Sequence, residues 1–167
     1  NLLRKACMNI PLDFFEDISS YLGKIEVSAF IDILQDQDKF TILFLDDNKE
    51  RTHLFARFFP NALTCEHAEE MNRLINENPN SIVFLDHDLD GRVYVDSSEI
   101  NTGSEVVRFI VKNNPKIKTI VIHTMNDKVN SKMKSDLLSS GYNAMNLGFE
   151  FIKIILNRIE LSSKEKK

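Results

Sequence analysis

Cysteine is scarce in this chain. It occurs twice in 167 residues, at Cys7 and Cys65, and the spacing fits neither a disulfide framework nor a metal-binding ligand set. A reducing, cytoplasmic setting is the expectation that follows. Long apolar runs are also missing; the longest are a handful of residues, so no membrane-spanning helix is expected and no membrane partner with it. Positive charge is not in excess. The net charge of −4 argues against a broad nucleic-acid surface, which needs a basic stripe, but it leaves room for recognition of a single phosphate in one pocket. The first residue is Asn rather than Met, and no signal-peptide pattern precedes the first apolar segment. The chain is therefore expected to be a processed product or part of something longer. No internal repeat or low-complexity tract interrupts it.

What is present is ordinary globular composition, 43% hydrophobic and 28% charged, arranged with a clear rhythm. From residue 41 onward, short β-rich runs (41–45, 62–65, 81–85, 118–123 and 143–147) alternate with helical patterns. In the helices apolar residues recur at helical spacing, as in Val106, Val107, Ile110 and Val111, then Val129, Met133, Leu137 and Leu138. Pro60, Pro79 and Pro115 each fall between a helix and the next strand, where a helix must stop. Five β-α units with unbroken apolar strands predict an α/β fold: a five-stranded parallel, doubly wound sheet covered by helices on both faces. Residues 1–38 read differently, as an N-terminal helical extension with helices over 11–22 and 27–35. It either packs on the domain or connects to an upstream domain or protein partner. The division expected is 1–38 extension, 39–161 α/β domain and 162–167 flexible tail.

In such a sheet, ligands bind beyond the carboxyl ends of the strands. The first strand ends in Asp46 and Asp47, the third in Asp86, His87 and Asp88, and the fourth in His123, Thr124 and Asn126. Three strands thus deliver polar clusters to one rim. Taken singly, each has a plain explanation in turn formation, capping or a hydrogen-bonded histidine. A structural explanation for all three would have to repeat itself three times. Several carboxylates side by side also call for a counter-charge, and oxygen ligands suit a divalent cation such as Mg²⁺.

The arrangement resembles the receiver domains of two-component response regulators, also called CheY-like or flavodoxin-like. That resemblance implies that Asp46, Asp47 and Asp86 bind magnesium, that Asp86 accepts a phosphoryl group and that Thr124 contacts it. Two features depart from it. No lysine follows the fifth strand until Lys153, so one charge partner of a phosphoryl switch is missing. The loop after the third strand carries about ten extra residues, in which "RVYV" and "SEI" suggest a small hairpin. Both departures suit a narrower group, the cyclic-phosphate-processing receiver-like family. Its signature is an acidic pair followed by an arginine, a D-H-D-L run, T-G before the third helix and H-[ST]-x-N after the fourth strand. Here these are Asp46, Asp47 and Arg51; Asp86, His87, Asp88 and Leu89; Thr102 and Gly103; and His123, Thr124 and Asn126.

The resemblance implies action on a cyclic phosphate, such as a 2′,3′-cyclic RNA end or a cyclic nucleotide, by a phosphoesterase that is a hydrolase. For that chemistry His87 and His123 are candidate acid and base, with Asp86 or Asp88 orienting a histidine. Asp46, Asp47 and Asp86 are candidate ligands for Mg²⁺ or Mn²⁺. Arg51, Thr102, Gly103, Ser104, Thr124 and Asn126 are candidate phosphate contacts, the middle three through the N-terminus of a helix. A phosphorylation switch and a non-catalytic interaction module are the alternatives.

Overall fold

The five apolar runs become the five strands of one parallel sheet: β1 (Ile42–Leu45), β2 (Leu63–Cys65), β3 (Ser81–Leu85), β4 (Ile117–Ile122) and β5 (Ala144–Asn146). The structure is a computed structural model and describes residues 24–164. The helix expected over 11–22 lies outside the described residues. In chain order the helices are α1 (Lys24–Asp36), α2 (Lys49–Phe58), α3 (Ala68–Glu77), α4 (Gly103–Asn113), α5 (Asp127–Ser139) and α6 (Phe149–Lys164). The strands pair in the order β2-β1-β3-β4-β5. This is the doubly wound order whose switch point lies between β1 and β3. The described residues form two compact units, 40–149 and a second of 24–39 with 150–164. Among them no helix is long and apolar enough to cross a membrane.

Strand periodicity sorts the core into two chemically different faces. Leu43, Leu45, Val83, Leu85, Ile120 and Ile122 point to one side. There they pack with Met71 and Ile75 of α3, Val106 and Ile110 of α4, and Met133 and Leu137 of α5. The alternate residues Phe44 and Phe84 point to the other side and meet α2. Phe55 stacks on Phe44 at 4.0 Å and lies edge-on to Phe84 at 4.9 Å, while Phe59 stacks on Phe55 at 4.4 Å. One face is aliphatic and the other aromatic. In the second unit, Val27, Phe30, Ile31 and Leu34 of α1 are buried, as are Ile152, Ile155, Leu156 and Ile159 of α6. Both sets repeat at the i, i+3, i+4, i+7 spacing of an apolar helix stripe.

The helix ends follow the local sequence. Asn48 caps α2 by accepting hydrogen bonds from the Glu50 and Arg51 amides, and Thr102 caps α4 by accepting from the Glu105 amide. Asn114, just before Pro115, closes α4 with a left-handed backbone. The loop from 86 to 102 contains no strand, so the expected hairpin does not form. The amides of Tyr94 and Val95 instead donate to the two carboxylate oxygens of Asp88, both at 2.9 Å, and the Val95 carbonyl meets His87 Nε2 at 2.9 Å. Side chains take the backbone groups that a partner strand would have used.

Phe84 touches both Phe55 and Phe44 at the centre of the aromatic face. Phe84→Ala is expected to cost about 3–5 kcal/mol. Urea unfolding of the variant measures this, and a loss below about 1 kcal/mol would show that the aromatic face collapses to fill the space.

Candidate functional site

Register decides what stands at the rim. β1 and β3 pair Phe44 with Phe84 and Leu45 with Leu85, and β3 and β4 pair Leu85 with Ile122. One residue further, Asp46, Asp86 and His123 continue the row, each held by its amide to the neighbouring strand's last carbonyl or to Cys65. They share the parity of Phe44 and Phe84, so all three side chains emerge on the aromatic side of the sheet. Asp46 is 1% exposed, Asp86 3% and His123 0%.

Arg51 binds two of them. Its Nη2 donates to Asp46 Oδ1 at 2.9 Å and to Asp86 Oδ2 at 2.8 Å, and its guanidinium lies 5.8 Å from the Phe149 ring centroid. The cap at Asn48 and the Asn48 amide, which donates to Asp46 Oδ1 at 2.8 Å, fix the first turn of α2 against the end of β1. This places Arg51 over the acids. Asp47 accepts from the Gly91 amide, which draws the long loop toward the acidic pair. Asp86 Oδ1 accepts from the His87 amide at 2.7 Å.

One guanidinium does not offset this much buried acid. Burial pushes the Asp46 carboxyl up to about 7; the Arg51 charge opposes that rise and the nearby Asp86 adds to it. Burial also raises the Asp86 pKa, opposed by Arg51, the His87 amide and a hydrogen bond from Thr124. Asp46 Oδ2 has no hydrogen-bond partner. The Asp46, Asp47 and Asp86 carboxylates offer oxygens within 4.8 Å of one another, the three residues named as candidate metal ligands.

A cavity of about 400 Å³ opens above this cluster, lined by Asp47, Arg51, Asp86, Asp88 and Thr124 among others. The structure thus gathers these five expected residues around one space, with Asp46 behind Arg51. The histidines stand elsewhere. His123 is stacked on Phe44 at 4.9 Å with the ring planes 2° apart, and edge-on to Phe149 at 5.9 Å. Neither of its ring nitrogens has a hydrogen-bond partner, and its Nδ1 lies 3.8 Å from Asp46 Oδ2. Burial, joined by the Arg51 charge, pushes its pKa down to about 3, so the ring is neutral at pH 7. His87 has the opposite parity and points to the aliphatic side. Its Nε2 meets the Val95 carbonyl and its Nδ1 accepts from the Ser104 amide at 3.3 Å, which assigns the proton to Nε2.

The expected anion cradle at the start of α4 is occupied by the chain itself. The Gly103 amide donates to the His87 carbonyl at 3.2 Å, and the Ser104 amide and hydroxyl both meet His87 Nδ1. A Cβ on Gly103 would lie 2.2 Å from the Asp86 carbonyl oxygen, so glycine is required where α4 crosses the end of β3. Asn126 opens α5 as its N-cap residue, with its amide 3.3 Å from the Thr124 hydroxyl. Cys65 is free and buried, its thiol pushed up to about 12 by burial, which removes it as a nucleophile. Reading the sequence did not single out Val93 or Met125, which also line the cavity. Apolar residues in polar loops were the available signal.

Sheet order and acidic rim together define a receiver-type α/β domain. The chain belongs to the cyclic-phosphate processing receiver domain family, whose model matches residues 41–139. Among solved structures it is similar to a signal receiver domain described as that of a Luxo repressor protein from Vibrio parahaemolyticus. The two share 15% identity over 76% of this chain and 97% of the other, with a TM-score of 0.47. A response regulator from Colwellia psychrerythraea shares 17% identity over 75% and 98%, with a TM-score of 0.48. No curated protein matches the sequence.

The two shifted groups give opposite pH signatures. Asp46 binds its proton more tightly when folded, so its contribution to stability is present below its ordinary value of 3.8 and disappears as pH rises through about 7. His123 binds its proton less tightly when folded, so its contribution is present above 6.5 and disappears as pH falls toward about 3. Asp46→Asn is expected to flatten the loss of stability on the alkaline side, and His123→Gln the loss on the acid side. Urea midpoints measured in steps across this range read both slopes. A wild-type slope in both variants would show that other groups set the pH dependence.

Proposed function

We propose that the rim cavity binds a cyclic phosphodiester together with a divalent cation, Mg²⁺ or Mn²⁺, and opens the ring by hydrolysis. The observation that carries this reading is the charge imbalance at the cavity floor. The guanidinium of Arg51 pairs with Asp46 and Asp86, and the Asp47 carboxylate lies within 4.8 Å of both acids. Asp88 adds a further carboxylate to the wall, and Arg92, which also lines the cavity, is paired with Glu99 and Asp90. An anionic phosphate entering this space unaccompanied meets net repulsion. A cation held by Asp46, Asp47 and Asp86 reverses that sign, and the buried Asp46 oxygen without a partner supports the fit. When bound, the cation supplies Lewis-acid charge to the phosphoryl oxygens.

The chain's own groups have separable tasks. Arg51 offers planar, fixed donors for phosphoryl oxygens, and Thr124 offers a hydroxyl on the same wall. In ring opening, a water oxygen forms a bond to phosphorus as one of the two ring ester bonds breaks. The attacking water gives up a proton and the departing sugar oxygen takes one from solvent, so the net change is the addition of one water. Asp86 lines the cavity within the acidic cluster, so we assign it the proton from water. His87 and His123 we assign to positioning: the first holds the long loop and the second supports Asp46 and the aromatic face. A phosphorylation switch is the second reading, favoured by Asp86 and Thr124 standing together on the wall.

The test is turnover of a short RNA ending in 2′,3′-cyclic phosphate, with Mg²⁺, with Mn²⁺ and with chelator. Opening to a monophosphate is expected only with metal. Asp86→Asn is expected to slow it at least about a hundredfold, and Arg51→Lys to weaken substrate binding. No opening under any metal, with acetyl phosphate modifying Asp86 instead, transfers the site to the switch.

A further inference from the structure

The cavity is lined mostly by charged and polar residues, but two of its lining residues are apolar and exposed. Val93, from the long loop after β3, is 76% exposed and lines the cavity; Met125, from the loop after β4, is 63% exposed and lines it too. Single exposed apolar residues are common and need no explanation. Two of them from separate loops, on the lining of one ionic cavity, are a different matter.

The loop that carries Val93 is also held with unusual care. Both oxygens of Asp88 accept the amides of Tyr94 and Val95, and the fully buried His87 ring takes the Val95 carbonyl. The anchor is tied to α4 through Ser104. Tyr94 sits at φ +55°, an unfavourable backbone for a bulky residue, and Asp90 at +63°. A buried histidine, a carboxylate and strained backbone together fix the loop that brings Val93 to the cavity. Arg51 and Asp86 fix the floor at the other end.

We infer that Val93 and Met125 bind the nucleobase of a nucleoside cyclic phosphate whose phosphoryl end lies at Arg51 and the acidic cluster. This deepens the cyclic-phosphate reading and rests on it. The chemistry selects a base over other organic groups. A base has an apolar face that gains from desolvation against Val and the polarizable Met sulfur, and polar edges that remain in water at an open mouth. A volume of about 400 Å³ suits one nucleotide-sized ligand, not a long strand. Contacts of this kind are tolerant of sequence because every base has such a face.

The experiment measures binding to the full chain by calorimetry in Mg²⁺, using adenosine 2′,3′-cyclic monophosphate and 1-O-methylribose 2,3-cyclic phosphate, which lacks the base. Conditions are chosen so that turnover is negligible. The adenosine compound is expected to bind about tenfold more tightly. Val93→Ser and Met125→Ser should each remove most of that difference while leaving the baseless compound's affinity unchanged. Both positions are exposed, so folding is not at risk, and circular dichroism checks it. Equal affinity for the two compounds, or an adenosine preference that survives both substitutions, overturns the base contact and leaves the cyclic-phosphate reading standing. If neither compound binds, the cyclic-phosphate reading fails and the base contact fails with it.

Discussion

The bridge that Arg51 Nη2 makes between Asp46 and Asp86 is the interaction on which the rest of the site depends. Two carboxylates buried to within a few per cent of complete enclosure, on adjacent strands of the same register, would repel strongly without it. One guanidinium nitrogen, Nη2, reaches an oxygen on each acid at once, and the charge stays on at any physiological pH. Its position is not left to a flexible side chain alone. Asn48 caps α2, its amide is bound to Asp46, and the Phe149 ring lies beside the guanidinium. Backbone capping, an aromatic contact and two ion pairs thus specify one geometry. Even so the clustered acids outnumber the one guanidinium paired with them.

Strand parity distributes the signature residues between two structural roles. Asp46, Asp86 and His123 lie on the aromatic side, while His87, adjacent in sequence to Asp86, lies on the aliphatic side. The D-H-D run therefore sends its first residue to the cavity floor and its second into the protein. The third, Asp88, reaches the cavity wall while gripping the loop backbone. A histidine with both ring nitrogens engaged by Val95 and Ser104 is a structural joint, and one stacked between phenylalanines with a pKa near 3 is a neutral aromatic spacer at pH 7. Residue type alone does not separate these roles from acid-base chemistry. Side-chain direction does.

This marks where the sequence was readable and where it was not. The strands could be located to within about one residue of their observed ends because unbroken apolar runs and proline stops are local signals. That Asp46, Asp47, Asp86 and Thr124 would meet at one rim followed from sheet order, which the alternating pattern implies. The alternation along β4 also carried the information that His123 shares a side with Val121 rather than with Ile122, though the rim position drew attention first. What stayed hidden was non-local and made of side-chain-to-backbone bonds. The hairpin expected between residues 92 and 100 does not form because Asp88 and His87 take its backbone groups. The amides at the start of α4 are taken by His87 from 17 residues away. No periodicity records such pairings.

The absence of a lysine after β5 acquires a physical meaning from this arrangement. The resemblance to a receiver would put the fixed cation just after the fifth strand; there this chain has Leu147, which is buried. Here the cation paired with the acids comes instead from α2, where a capped helix turn holds it. A cation anchored to the same β1-α2 turn as the acidic pair moves with that pair as one piece. A cation on β5 would couple the acids to the opposite edge of the sheet. The long loop follows the same pattern, since its anchors at His87, Asp88 and Asp47 all belong to the rim itself.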